Sequence, residues 1–391
     1  MILANKGRIK RELLTVYGEI SFRRTLLVPK GEESIEKLKS MQKEKSICPL
    51  DASLGISNLP FKITPKMMVS IAKEAVRASS YERAADVINE HYRVKVSTAT
   101  VRSVTDCVGG IVYSDDQRRA EEAASKALEK IDKRKKRRGA NDVLYIEMDG
   151  AMFNTRVQVE GTSWAECKIG IAFHSSDIKE WITEKGETRR RILKKRIVGY
   201  IGNYRIFKDH VLALACRYDY QYRSKIVIIS DGAEWIHTLK EALFPEAIHI
   251  LDLSHVKEHV GNFGKWIYND EKEADAWICK INKLIEESKI DKVLNILKPY
   301  KDRKCPNNVL NLYTYIFNHK DCMDYKKYIE CGYFIGSGAS ESANKYTMQN
   351  RMKLQGMRWN KESGQNMLSL KARLESDCWY EVEELVRGTY T

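Results

Sequence analysis

Two stretches of the chain share one hydrophobic plan. Val143 to Gly150, VLYIEMDG, carries apolar, β-branched and aromatic side chains up to Glu147 and Asp149, and then a glycine. Lys225 to Gly232, KIVIISDG, carries an apolar run and a serine up to Asp231, and again a glycine. Both read as strands that deliver a carboxylate to their tips. In an open α/β sheet ligands gather beyond the carboxyl ends of the strands, so two neighbouring strands of this kind would hold two carboxylates close together. Such anions repel unless they share a proton or a cation.

The same patterning predicts the rest. Residues 12 to 30 alternate about Gly18 and suggest a β-hairpin, and the segment to 62 is turn-rich, with Pro49, Gly55 and Pro60. Thr64-Pro65 opens a helix. Helices from Ser80 to about His91 and from Ser97 to about Val108, joined by a tight turn, match a helix-turn-helix in outline, with Arg102 near the start of the second; an ordinary helical pair is the alternative. A further helix, about Ser114 to Ile131, leads into KRKKRR, and a domain boundary falls near 139. Then come strands, with a hairpin turn at 160–162, a second cationic cluster at Arg189, Arg190 and Arg191, the strand RIVGYIG, a helix (207–217), the strand ending at Asp231, a helix (235–243) and a strand (247–253). Three strands, helix, strand, helix, strand is the outline of an α/β RNase H-like mixed sheet with flanking helices, in which the first and fourth strands lie side by side. Amphipathic segments over 256–330 form an all-helical insertion, and a helix from about Ser340 puts Glu341 in its first turn. The expected divisions are therefore 1–62, 63–138 (a mostly helical DNA-binding region with its basic linker), 139–255, 256–332 and 333–391.

Composition narrows the partners. Among 391 residues, 67 Lys and Arg against 53 Asp and Glu give a net charge of +14, which favours a polyanion, most simply nucleic acid. The phosphate contacts would come from Lys133, Arg134, Lys135, Lys136, Arg137 and Arg138, from the 189–191 cluster, from Arg102, and from Arg351 and Lys353 beyond Glu341. No run approaches 18 apolar residues, so neither a membrane span nor a signal peptide is expected, and the location implied is cytoplasmic and nucleoid-associated. Nine cysteines without a CxxC pair suggest reduced, packed thiols.

Asp149, Asp231 and Glu341 supply the three hard oxygen ligands that a pair of Mg²⁺ or Mn²⁺ ions roughly 4 Å apart needs for in-line phosphoryl displacement. Asp149 would bridge, with Asp231 on one ion and Glu341 on the other. YIEMDG, W-x-E-x-K at Trp164 to Lys168, IISDGAEWI, HILDLSH and GSGASESANK…RMK…GMRW together resemble the bacterial insertion-sequence DDE transposases, in the group allied to the Mutator-like elements. The likeness covers 141 to about 380 and, more weakly, extends back to about 48. It implies an RNase H-like core that cuts and joins DNA at transposon ends, with transposon-end and target DNA as partners of a homodimer or larger assembly. Mutator-like relatives carry Cys-x-x-His where this chain has Asp252, Leu253, Ser254 and His255, which places His255 near the site and leaves a metal role for Asp252 open. Two other readings stand beside this one. A decayed or truncated copy would bind DNA without cutting it, and His255, Glu258 and His259 spell the HxxEH of a zinc metallopeptidase.

Overall fold

The computed structural model describes residues 2–32, 34–36, 46–127, 142–159, 162–184, 186, 188–218, 220 and 225–390. They group into two compact units, residues 1–116 with 350–391, and residues 117–349.

The chain starts with an antiparallel ribbon, β1 (Leu3–Thr15) against β2 (Gly18–Pro29). Gly18, at φ 106°, makes the tight turn between them. The alternation around Gly18 predicts the hairpin only from residue 12, yet pairing reaches back to Leu3, because backbone bonds to β2 order a polar stretch that side-chain pattern does not mark. Helix α1 (Pro49–Ser53) carries the buried Asp51, which takes Arg11 and Arg24 of the ribbon. Helix α2 (Pro65–Arg77) begins at Thr64-Pro65. In α3 (Tyr81–Tyr92) the Ser80 hydroxyl accepts from the Arg83 N–H at 3.1 Å, and the helix ends at Arg93 with φ 51°. The Asn89 side chain spans the following turn, accepting from the Val96 N–H at 2.7 Å and donating to the Val96 carbonyl at 3.1 Å.

The break expected near Val108 is absent: α4 runs unbroken from Thr98 to Ala127. A Cβ on Gly109 would stand 2.7 Å from the Asn366 Cβ and 2.8 Å from the Asn366 carbonyl oxygen, so this glycine admits a crossing backbone and does not stop the helix.

The second unit is built on β3 (Val143–Val159), β4 (Thr162–His174), the small hairpin β5 (Ile178–Ile182) and β6 (Thr188–Ile192), β7 (Arg196–Ile201), α5 (Tyr204–Cys216), β8 (Lys225–Ser230), α6 (Glu234–Leu243) and β9 (Ile248–Leu251). Five strands form one mixed sheet in the order β7-β4-β3-β8-β9. β4 runs antiparallel to β3 and β7, whereas β3, β8 and β9 are parallel. Ile146, Ile171, Val227, Ile229 and Ile250 are buried in it, as near-continuous apolar strands demand. Helices α7 (Leu253–Ile267), α8 (Glu271–Glu286), α9 (Ile290–Leu297), α10 (Leu312–His319) and α11 (Tyr325–Glu330) follow as the helical stretch that the periodicity predicts, and α12 (Gly338–Asn344) carries Glu341. A π turn, Lys345–Gln349, and a short turn of helix, Asn350–Met352, continue it.

Helices α13 (Lys361–Glu375) and α14 (Trp379–Tyr390) belong with the first unit, so the division falls at about 350 and residues 333–391 do not stay together. A buried ion cluster explains the pairing: Arg373 on α13 meets Asp115 and Asp116 on α4 and Glu381 on α14. Among the described residues no helix is long and apolar enough to cross a membrane.

Candidate active site

Strands β3 and β8 run in parallel register from Val143↔Lys225 to Glu147↔Ile229, and two residues further along each chain come Asp149 and Asp231. β8 ends at Ser230, but β3 continues to Val159 against β4, so Asp149 lies inside its strand, opposite Ile169, and not at its tip. Gly150 does not end the strand. A Cβ there would stand 2.9 Å from the Glu166 carboxylate on β4, and the glycine provides that room. Asp231 begins a turn in which its own carboxylate accepts from the Ala233 N–H at 2.9 Å. Helix α10 holds the turn from outside: the Tyr315 hydroxyl donates to the Asp231 carbonyl at 2.9 Å, and the His319 Nε2 meets the Gly232 carbonyl at 3.0 Å.

Helix α12 brings the third acid. The Ser340 N–H donates to the fully buried Glu147 carboxyl at 2.7 Å, and Asn344 Nδ2, one turn on, donates to Asp149 Oδ2 at 2.6 Å. Burial pushes Glu147 up to about 8 despite the Ser340 N–H, with Asp252 adding to the rise, so at neutral pH this acid is mostly protonated and ties α12 to β3. Burial also raises Asp149. Asn344 and the Gly150 N–H oppose the rise, and the charge of Asp231 adds to it. Glu341 is raised by burial, then by Asp252 and Asp149. Asp149 is thus within electrostatic reach of both other acids. Asn344 Oδ1 is buried and has no partner. Among the described residues no three His, Cys, Asp or Glu side chains close into a ready metal cluster.

Asp252 is occupied. One carboxylate oxygen accepts from the Ser254 and His255 N–H groups at 2.6 and 3.2 Å, capping α7, and the other accepts from the Ser337 N–H at 2.9 Å and from the Ser337 hydroxyl. Ser337 is the N-cap of α12, so this buried acid couples the start of α7 to the start of the Glu341 helix. His255, at the start of α7, faces His259 with Nε2 atoms 3.0 Å apart, and the His259 ring packs on Tyr315 at 4.9 Å. Glu258 lies 3.8 Å from His255 Nδ1 and is largely exposed. The two imidazoles of the HxxEH pattern therefore meet, but no third protein ligand joins them among the described residues.

The cationic residues scatter. Lys133 to Arg138 lie outside the described residues, as does the 160–161 turn. Arg189, Arg190 and Arg191 sit exposed on β6, where Arg190 pairs with Glu180 at 2.6 Å and lies 5.1 Å over the Phe334 ring. Arg102 is half-buried near the start of α4 and Lys353 is exposed. Arg351 corrects its expectation: it is 2% exposed, donates to the Ala75 carbonyl at 3.0 Å, and stacks between Tyr81 and Trp359 at 4.8 and 5.2 Å. It is a core cation, closed to phosphate. The sequence reading missed Asn344, Ser337, Tyr315 and His319 as positioning residues. Lys168, the last residue of the W-x-E-x-K run, is buried beside Gly150, bonded to Glu166 and to the Gly202 carbonyl.

Fold and site together define a mixed α/β protein in which Asp149, two residues past the paired segment of its first and fourth sheet strands, lies within electrostatic reach of Asp231 and Glu341. The chain belongs to UPF0236, an uncharacterised protein family whose profile matches residues 4–386. It is 25% identical over 372 residues, 92% of its own length and 71% of the relative's, to the "UPF0236 protein in vanSb 3'region" of Streptococcus gallolyticus.

Proposed function

We propose that this chain is a metal-dependent DNA transposase of the DDE type, cleaving and joining strands at the ends of an insertion sequence, with Asp149, Asp231 and Glu341 as its catalytic acids. The observation that carries the reading is the sheet order β7-β4-β3-β8-β9, with one antiparallel neighbour and one parallel neighbour of β3, and an acid just past the paired segment of both β3 and β8. An RNase H-like core, which the resemblance implies, would have its first strand between these two neighbours, and the order supports the reading on that ground. Glu341 arrives on a helix fastened to the same strand through Ser340 and Asn344.

The donor chemistry fits a hard divalent cation. Asp231 raises the proton affinity of Asp149 and Asp149 raises that of Glu341, and the amide oxygen of Asn344 is left buried and unpartnered beside Asp149. Mg²⁺ or Mn²⁺, two ions per site, would be held by Asp149, Asp231 and Glu341, and when bound supplies charge neutralisation and an activated hydroxyl for in-line displacement at phosphorus. The protein's own residues do the placing. Asn344 fixes the Asp149 oxygen, Tyr315 and His319 fix the Asp231 turn, and Asp252 fixes the start of the Glu341 helix. Transposon-end and target DNA are the substrates, and two ends handled together call for a homodimer or larger assembly.

The test is cleavage of a duplex carrying the terminal repeats of the surrounding DNA, in Mg²⁺ or Mn²⁺. Asp149→Ala, Asp231→Ala and Glu341→Ala should each lower the rate by about 10²-fold or more, since several kcal/mol of charge stabilisation go with each ligand removed, while DNA affinity stays within a few fold. Retained cleavage in any of the three would sink the assignment.

A further inference from the structure

In the β1–β2 ribbon, residues directly opposite share a face. One face pairs Ile9 with Arg24, Arg11 with Phe22 and Leu13 with Ile20; the other pairs Arg8 with Thr25, Lys10 with Arg23 and Glu12 with Ser21. The first face is docked, with Leu13 buried and both Arg11 and Arg24 gripping the buried Asp51; Arg11 also donates to the Ile56 carbonyl at 2.9 Å. The second face is open, with Arg8, Lys10, Ser21 and Arg23 all exposed. Lys10 stands directly across from Arg23, and Arg8 lies two residues along the same face, about 7 Å from Lys10. Like charges directly opposite destabilise a ribbon. Within the protein, Glu12 answers Lys10 at 2.6 Å, Glu19, opposite Leu14 on the same face, also acts on Lys10, and Arg8 and Arg23 have no acidic partner among the described residues. At the far end Tyr17 is 96% exposed.

We infer that this face of the ribbon is a binding surface for double-stranded DNA, with Arg8, Lys10 and Arg23 on the phosphates. The inference rests on the proposed function for its partner and adds a surface that the sequence reading did not name. A chain of phosphates resolves the Lys10/Arg23 repulsion, and a two-stranded β-ribbon is one of the elements that the major groove of B-form DNA admits. The docked face gives the ribbon a fixed base: the Asp51 clamp holds two arginines inward, so the cations of the opposite face are presented together.

The experiment measures binding of the full chain to a labelled 30-base-pair duplex of arbitrary sequence by fluorescence anisotropy, across a salt series without divalent metal. For every phosphate that a variant no longer neutralises, the slope of log affinity against log salt flattens by about 0.9. Arg8→Gln with Lys10→Gln and Arg23→Gln should flatten it by about 2.7 and weaken binding at least tenfold at low salt. Removing three cations from α2 instead, Lys66→Gln, Lys73→Gln and Arg77→Gln, should change the slope far less. Thermal melting separates binding from folding: the ribbon variant is relieved of a like-charge pair and should melt at or above the wild-type temperature. Equal slopes for the two triple variants, or an unchanged slope in the ribbon variant, overturn the ribbon proposal and leave the transposase reading standing. A wild-type chain that binds no duplex at all overturns both.

Discussion

Asp252 offers the sharpest test of how the acidic site is built, because its two possible roles predict stability changes of opposite sign. As a metal ligand it would be one more repelling anion in the metal-free protein, and its removal would relieve Glu147 and Glu341, both of which it raises. As a structural staple it answers four donors: the N–H groups of Ser254, His255 and Ser337, and the Ser337 hydroxyl. The geometry favours the staple. Loss of the α7 cap costs about 1 kcal/mol, and leaving the buried Ser337 N–H and hydroxyl without an acceptor costs about 1–3 kcal/mol each. Relief of like charge offsets roughly 1 kcal/mol of that, on the scale of one pKa unit. Asp252→Ala should therefore destabilise the metal-free protein by about 2–6 kcal/mol, a fall in Tm of roughly 4–24 °C for a unit of this size. Urea and thermal denaturation in EDTA measure it. A variant as stable as the wild type, or more stable, would refute the staple and reopen a metal role for Asp252.

Three further outcomes follow from the geometry. Gly109→Ala should lose about 1–3 kcal/mol by forcing a Cβ into the backbone at Asn366, whereas Gly110→Ala, whose Cβ would meet only Asn366 Nδ2 at 3.8 Å, should gain up to about 1 kcal/mol of helix propensity; equal effects in chemical denaturation would mean that no helix crosses there. His249 is pushed down to about 4 by burial first, then by His237, Lys240 and His319, with Glu241 opposing. The unfolded chain then takes up a proton between pH 6.5 and 4 that the fold refuses, so stability is full above 6.5 and falls as pH drops, by about 3 kcal/mol at the lower limit. In His249→Gln that part of the acid slope should vanish from urea titrations run across the window. Arg351→Leu should cost about 2–3 kcal/mol by orphaning the Ala75 carbonyl and the Tyr81/Trp359 stack, and should leave the salt dependence of DNA binding unchanged; a flatter slope would return Arg351 to the phosphate contacts.

The elements that the sequence made legible are those with a strong local signature. Apolar runs ending in acids marked β3 and β8, and three-and-four spacing such as Ala274, Trp277, Ile281 and Ile285 marked α8. What it hid were relations between distant residues. Gly109 next to Gly110 reads locally as a helix break, and only Asn366, far along the chain, shows why the glycine stands inside a continuous helix. The polar N-terminal half of β1 has no periodicity of its own and becomes a strand because β2 pairs with it. Likewise Arg351 reads as a surface cation until Tyr81 and Trp359 close over it. At the site the acids themselves were legible, but the amide that places one of them, Asn344, has no signature in a run of small polar residues.

The helices between β9 and α12 read in sequence as a spacer that separates the second acid from the third, and their tyrosines say otherwise. Tyr315 donates to the Asp231 carbonyl, Tyr325 to the Leu251 carbonyl at 3.0 Å, and Tyr328 to the His249 carbonyl at 3.4 Å, while His319 meets the Gly232 carbonyl. All four acceptors lie along β9 or just past the carboxyl end of β8. Parallel strands that stop there leave backbone carbonyls which must find donors if they are buried. The helical segment supplies them from side chains, so it closes the same end of the sheet from which Asp231 projects. Asp252 then carries the arrangement onward, because the residue that follows β9 and caps α7 also holds Ser337 at the start of the Glu341 helix. The second and third acids are therefore positioned through one continuous set of bonds, and a helical segment of different packing would displace both together.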